Sequence, residues 1–368
     1  MQPLFSHFIT ITDPRSEVNK AHKLIDILMV AVCAVLAGAE SFVDMEDFGN
    51  TKQTWFKTFL ELPNGIPSHD TFGRVFSLLD PNEFQTHFSE WMQSAIEVTN
   101  GSVIAIDGKT NRRTFGKLTR ALHLVSAFAT ANGVALGQVA TNQKSNEITA
   151  IPELLKLLDI KGCIITTDAL GCQSDIAADI VTRGGDYLLA VKGNQGLLYR
   201  DIKACFANRE IERDTNTSEN KGHGRVEKRT CEVLSGTNVI ATLQHKNNWP
   251  SLNTIVKVTA ERTSQKTGVV TEQSRYYICS LQQPSAERMQ AAVRAHWGIE
   301  NSLHWVLDMS FREDESRIRT DHAPANMAVL RHIALNLVRG DTTRKVGVKA
   351  SLKKAGWSTD YMGKLLGV

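Results

Sequence analysis

The sequence predicts an α/β protein: a mixed sheet covered by helices, preceded by a helical N-terminal domain and interrupted by a β-rich insertion. Three features of the pattern carry this. Residues 1–100 hold apolar residues at helical spacing. From residue 101, three apolar or alternating runs follow one another and then give way to helix and strand in turn, as a mixed sheet requires. From 206 to 281 alternation of period two returns, before helices close the chain. A length of 368 residues suits two or three domains at ~100–200 residues each.

Taken in order, the first marked segment is KLIDILMVAVCAVLAGAESF. Its uninterrupted apolar run, Ile27 to Ala39, falls short of the ~20 residues a bilayer needs, and Asp26 interrupts its start. It reads as a buried core helix and neither as a targeting signal nor as a span. SFVDMEDFGNTKQTWFKTFLEL, the turn PNGIP and SHDTFGRVFSLL follow, with Ser68 placed as an N-cap. This is a small helical bundle or, with an unusually long turn, a DNA-reading helix-turn-helix. The strands SVIAID, ALHLVSAFAT and GVALGQVAT come next. After them EITAIPELLKLLD reads as helix, CIITTDALG as strand, QSDIAADIVTRGG as helix, YLLAVKGN as strand and QGLLYRDIKACFANRE as helix. The insertion, 206–281, holds GRVEKRTCEVL, NTIVKVTAERT and SRYYICSL as strands. The long helix SAERMQAAVRAHWGIENSLHWVLDMSF and the amphipathic NMAVLRHIALNLVRG return the chain to the core, so that the core comprises 101–205 and 282–340. A basic C-terminal tail, 341–368, ends it.

The formal charge is only +3, so its total does not mark a nucleic-acid binder. Its distribution says more. Gly108 to Asn146 contains no acidic residue but holds Lys109, Arg112, Arg113, Lys117, Arg120 and Lys144. After Asp341 the tail sets Arg344, Lys345, Lys349, Lys353, Lys354 and Lys364 against Asp360. Two basic regions on a nearly balanced chain suit a polyanion surface, with plain solvated charge as the alternative, above all in the tail. The six cysteines form no CxxC pair, which argues against a zinc knuckle or a disulfide framework and fits a reducing cytoplasm.

Candidate chemistry begins with two carboxylates. Asp107 in VIAIDGKTNRR and Asp168 in IITTDALG each follow an apolar strand and stand close to a glycine. Turn aspartates look the same, but ligands of open α/β sheets collect at the carboxyl ends of strands. Hard oxygen ligands suit Mg²⁺ or Mn²⁺, and a third carboxylate on a neighbouring helix would complete a two-metal phosphodiester site. HWGIENSLHWVLD offers one. At helical spacing His296, Glu300, His304 and Asp308 stack on one face, either as a salt-linked structural stripe or as a stripe carrying a catalytic Glu300.

The order Asp, Asp, Glu, with HWGIEN around the glutamate, resembles the DDE transposases of bacterial insertion sequences. DPRSEVNKAHKLIDILMVAVCAVLAGAESFVDMEDF and HWVLDMSFREDESRIR resemble the H-repeat-associated branch linked to Rhs elements, over nearly the full chain. The resemblance implies an RNase H-like core and a catalytic, metal-binding set of Asp107, Asp168 and Glu300 with Mg²⁺ (or Mn²⁺). It implies double-stranded DNA as partner, a homodimer on that DNA, cleavage at element ends and strand transfer without a covalent protein–DNA intermediate. The family's Tyr, Arg and Lys on the glutamate helix are replaced here by Val293, His296 and Leu307. DNA contact would then pass to Arg294, His296 and His304, joined by Lys109, Arg112, Arg113, Lys192 and Asn194. Arg225, Glu227 and Arg229 share one face of a strand and would track phosphates or simply be solvated. Asp308, about 12 Å along the helix axis from Glu300, would support rather than ligate.

Two other enzyme readings are weaker. A phosphatase with the DxDGT loop would need an aspartate where Ala105 stands, and a sugar-kinase-like ATPase would need a second glycine-rich phosphate loop. A repurposed transposase that binds DNA without cutting it remains the main alternative.

Overall fold

The computed structural model describes residues 4–95, 100–114, 121–141, 147–222 and 224–368. Lys117, Arg120 and Lys144, expected in a basic stretch, lie outside the described residues. Five helices and a sixth open the chain: α1 (Leu4–Phe8), α2 (Leu24–Ala37), α3 (Phe42–Thr51), α4 (Gln53–Phe56), α5 (His69–Leu78) and α6 (Pro81–Ala95). α2 is apolar on all sides and correspondingly buried from Ile27 to Leu36. Gly38, in the left-handed conformation at φ 99°, stops it. Asp26 at its start is accommodated because its carboxylate accepts the Leu62 N–H at 3.0 Å. Ser68 caps α5 by accepting from the Thr71 N–H, and Phe72, Val75 and Phe76 bury the inner side of that helix. No single helix among the described residues is long and apolar enough to cross a membrane.

The sheet begins with β1 (Val103–Thr110), β2 (His123–Ala129) and β3 (Val134–Thr141), antiparallel neighbours, and continues through α7 (Glu147–Lys156), β4 (Ile164–Thr167), α8 (Ser174–Thr182), β5 (Asp186–Val191) and α9 (Gly196–Ala207). β1, β4 and β5 are parallel. The remaining strands are β6 (Asp214–Gly222), β7 (Arg225–Ser235), β8 (Thr254–Ser264) and β9 (Val270–Cys279), with the short α10 (Thr237–Ala241) between β7 and β8. They pair antiparallel, and β9 pairs with β5. The insertion therefore extends the core sheet, giving one sheet in the order β3-β2-β1-β4-β5-β9-β8-β7-β6. The edge strand β3 is shielded where Asn336 bonds both the N–H (3.1 Å) and the C=O (2.7 Å) of Ala135.

After β9 come α11 (Ala286–Gly298), a π-helical turn (Ile299–His304), α12 (Trp305–Phe311) and α13 (Ala323–Gly340). α13 packs against α2, α5, α6 and β3, so the N-terminal helices and the sheet share one hydrophobic core. Residues 341–368 are not a tail. They contain α14 (Val348–Trp357) and α15 (Thr359–Leu366), which bury Leu352, Ala355, Tyr361, Met362 and Leu366, and α14 lies against α2. The lysines of that stretch ride the outer faces and conceal the apolar spacing beneath. A second departure is Asp107. Expected at a strand end, it lies within β1, paired with Ser126, because the strand runs on to Thr110.

Candidate active site

Strand alternation decides which side of the sheet receives the chemistry. Asp107 and Lys109 project to the face covered by α11 and the π turn, and Gly108 faces the opposite side, where the Glu147 carboxylate of α7 lies. Asp168 follows β4 directly, next to β1, and its Oδ1 accepts the Leu170 N–H (2.8 Å) and the Gly171 N–H (3.4 Å). Asp168 is a turn aspartate that also lines the cleft. Asp107, Asp168 and Glu300 line one cleft of about 220 Å³, together with Lys192, Arg275 and His296.

Electrostatics mark the cleft as short of positive charge. Burial raises the Asp107 pKa to about 7, and the nearby Asp168, Glu147 and Glu300 carboxylates push it the same way. His296 donates to or accepts from the Thr166 hydroxyl at 2.9 Å, and burial lowers its pKa to about 4. His304 places Nδ1 3.7 Å from the Asp107 carboxylate, with its pKa lowered to about 3 by burial. Both rings are therefore neutral near pH 7 and are poor phosphate clamps. Among the described residues, no group of three His, Cys, Asp or Glu side chains is arranged to hold a metal ion. The donor set nonetheless fits a hard divalent cation: oxygen ligands only, and a mutual repulsion that such a cation would relieve.

The glutamate helix is not the continuous α-helix that the four-residue stripe implies. At Ile299–His304 it widens into a π turn. Asn301 donates its side-chain amide to the Trp297 carbonyl at 3.0 Å, and Arg339 of α13 donates to the Ser302 carbonyl, so the carbonyls disturbed by the widening are served by side chains. Three members of the stripe meet a partner, His296 with Thr166, His304 with Asp107 and Asp308 with Lys109, and Glu300 opens into the cleft.

A groove of about 560 Å³ adjoins the cleft and shares Arg275, Trp297 and Glu300 with it. Arg225 and Arg229 of β7, Arg262 of β8, Arg275 of β9 and Arg294 of α11 line it. Glu227 accepts from Arg229 (2.6 Å) and Arg262 (3.0 Å), and the Arg275 guanidinium lies 4.6 Å from the centre of the Trp297 ring. Arg225 and Arg229, expected on one strand face, and Arg294, expected on the glutamate helix, meet in this groove, while Lys192 and Asn194 lie at the β5 end, with Asn194 donating to the Ala169 carbonyl at 2.6 Å. Arg262, Arg275 and Trp297 were not anticipated. The register that sets Arg262 opposite Glu227 and Val258 opposite Arg275 was needed to find them. Lys109 departs from its expected role: its ammonium is committed to Asp308 at 2.5 Å and Glu313 at 2.7 Å, leaving it poorly placed to hold a phosphate. Arg112, largely exposed, leans on Asp314 at 3.5 Å. Arg113 is exposed, and its carbonyl accepts from Arg319.

A mixed sheet of this order, with one aspartate on β1, another directly after the adjacent parallel β4 and a glutamate on the covering helix, defines an RNase H-like protein. The family model "Transposase DDE domain" matches residues 98–337, and "DDE_Tnp_1-associated" matches residues 5–92. The "H repeat-associated putative transposase YhhI" of Escherichia coli (strain K12) is 40% identical, covering 100% of this chain and 98% of its own. The "Putative transposase YncI" of Escherichia coli O157:H7 is 43% identical, at 100% and 95% coverage. A solved piggyBac transposase synaptic complex with hairpin DNA aligns at a TM-score of 0.42 and 10% identity, over 99% of this chain and 78% of that one. The chain belongs to the DDE transposase family, within its H-repeat-associated branch.

Proposed function

We propose that this protein is a working transposase of the cytoplasm, cutting DNA at the ends of its element and joining the freed ends to a target. The observation that carries the reading is the convergence of Asp107, Asp168 and Glu300, from three separate elements, on one cleft beside an arginine-lined groove. These three carboxylates are the residues we assign to hold Mg²⁺ (or Mn²⁺). Held by them, such an ion would supply Lewis acidity to the attacking water and to the departing 3′ oxygen. The protein's own part is placement. Arg225, Arg229, Arg262 and Arg294 follow the phosphates of double-stranded DNA toward the cleft, and Lys192 and Arg275 flank the phosphodiester to be cut. Water adds to phosphorus as the P–O3′ bond breaks. The freed 3′-hydroxyl then displaces a 3′ oxygen from a target phosphodiester, with no covalent protein intermediate. Two ends must be held at once, which calls for a pair of protomers.

The test is a supercoiled plasmid carrying the DNA that flanks this gene, incubated with Mg²⁺ or Mn²⁺ and either the wild type or Asp168→Asn. Cuts at fixed flanking positions by the wild type alone are expected. A second reading, DNA binding without cleavage, draws support from a relative described as "Inactive transposase YbfQ" in Escherichia coli (strain K12), 43% identical over 77 residues. It prevails if neither protein cuts while both retain flanking DNA over random DNA in a gel shift.

A further inference from the structure

The reading of Lys109 as a DNA contact gives way to a different role once its surroundings are laid out. Its side chain is only 10% exposed, and its ammonium sits among three carboxylates: Asp308 at 2.5 Å, Glu313 at 2.7 Å and Asp314 at 3.7 Å. Glu313 is fully buried and lies 3.7 Å from the equally buried Arg331 of α13. Arg112 reaches Asp314 from outside. Three cations (Lys109, Arg112, Arg331) thus face three anions (Asp308, Glu313, Asp314) across the junction of β1, the end of the glutamate helix and α13. The buried members, Lys109, Glu313 and Arg331, hold their partners firmly, because any of them displaced would stay buried and unpaired, whereas Arg112 closes the cluster from the solvent side.

The location gives the cluster its meaning. Lys109 stands two residues beyond Asp107 on the same face of β1. Asp308 stands eight residues beyond Glu300 on the covering helix, past the π turn. Between them His304 touches Asp107. The strand and the helix are therefore joined at two successive points, at the assigned carboxylate Asp107 through His304 and, two residues further along β1, at Lys109 through Asp308. The π turn has an enlarged and less regular hydrogen-bond pattern, and something outside it has to fix where Glu300 points.

We propose that Lys109 and Asp308 form a positioning clamp that holds the Glu300 helix in register with the Asp107 strand and thereby sets the affinity of the carboxylate site for divalent metal. The proposal rests on the reading of Asp107, Asp168 and Glu300 as metal ligands. Lys109 and Asp308 touch neither metal nor DNA in this account; they act through the geometry of their neighbours. Groups that orient metal ligands from behind change metal affinity by about 10–100-fold when removed.

The experiment measures Mn²⁺ binding by the intensity of the free-ion EPR signal, on the full-length protein without DNA. The proteins are the wild type, Asp168→Asn, Lys109→Met, Lys109→Arg and Asp308→Asn. Asp308→Asn keeps the Lys109–Glu313 pair and so remains folded even where Lys109→Met does not; thermal midpoints report which variants are folded. The clamp predicts Mn²⁺ affinity lower by about 10-fold or more in Asp308→Asn, with Lys109→Arg nearer to the wild type than Lys109→Met. It also predicts unchanged affinity for flanking DNA in metal-free buffer across a salt series. Mn²⁺ affinity left intact in Asp308→Asn overturns the clamp. So does a Lys109→Met protein that binds Mn²⁺ normally but loses DNA affinity with a shallower salt dependence, the mark of a phosphate contact. If Asp168→Asn binds Mn²⁺ as the wild type does, the failure lies in the metal-site reading itself, and the clamp falls with it.

Discussion

Gly108 is where the sequence's most conspicuous acid and its least conspicuous one meet. A Cβ at this position would stand 2.4 Å from Glu147 Oε1 and 2.6 Å from His123 Nε2. These two side chains are buried and bonded to each other at 2.8 Å, and His123 also reaches the Thr110 hydroxyl at 2.8 Å. The glycine after Asp107 is thus required by packing beneath the strand and not by a turn, although the dipeptide reads as a turn. Gly108→Ala is expected to cost about 1–3 kcal/mol by overpacking, read as a lower thermal midpoint. Asp107 and Asp168 stood out in the sequence as carboxylates following apolar strands, and Glu300 through the motif around it, and the structure brings all three to one cleft. The commitment of Lys109 was not legible, since its partners lie about two hundred positions away and a sequence displays charge but not company.

Among the elements, those with a clean period could be read and those without could not. α2, α7, β2 and α13 follow their apolar spacing. β6, DTNTSENKG, is an exposed edge strand with no apolar face and went unanticipated. The π turn left no trace either: IENSLH contains no glycine or proline, and the widening is fixed by tertiary partners. Arg339 is one of them, bonding both the Ser302 and the Gly133 carbonyls. Arg339→Met should therefore lower the cleavage rate by about 10–100-fold through displacement of Glu300, with flanking-DNA affinity retained, as single-turnover cleavage and gel shifts would record. In the arginine groove the expectation is reversed. Arg294→Ala should weaken binding evenly across DNA sequences and reduce the salt slope, −∂logK/∂log[salt], by about 1.

The molecule as a whole is more unified than its sequence textures suggest. Composition marks helical, mixed, β-rich and basic segments, yet the insertion prolongs one sheet and the N-terminal helices, α13, α14 and α15 enclose one core around α2. Texture reports local period, whereas the joints between segments depend on pairings such as β5 with β9 that no local pattern encodes. One consequence is acid lability. His332 is fully buried with its pKa lowered by burial from 6.5 to about 4, and His304 is lowered to about 3. As pH falls below 6.5 the unfolded chain takes up protons at these sites before the native protein can, so stability declines with acidification. Glu313 works in the same direction at lower pH. Burial opposes its charge, but Lys109 and Arg331 outweigh that and hold its pKa near 2, so its stabilisation is full above 4.5 and drains away as pH falls toward 2. Asp107, raised to about 7, works in the opposite direction between pH 7 and pH 5, but the three lowered histidines, His296 included, outweigh it. The thermal midpoint should be lower at pH 5 than at pH 7, and the drop should be larger in Asp107→Asn; equal midpoints in Asp107→Asn would contradict the neutral burial of these histidines.

The central claim is that one cleft gathers the three acids to bind divalent metal, and anomalous diffraction from crystals soaked in Mn²⁺ addresses it most directly. The account predicts anomalous density among the carboxylates of Asp107, Asp168 and Glu300, lost in Asp168→Asn. Manganese found only elsewhere on the protein, with that cleft empty in the same crystals, would contradict it.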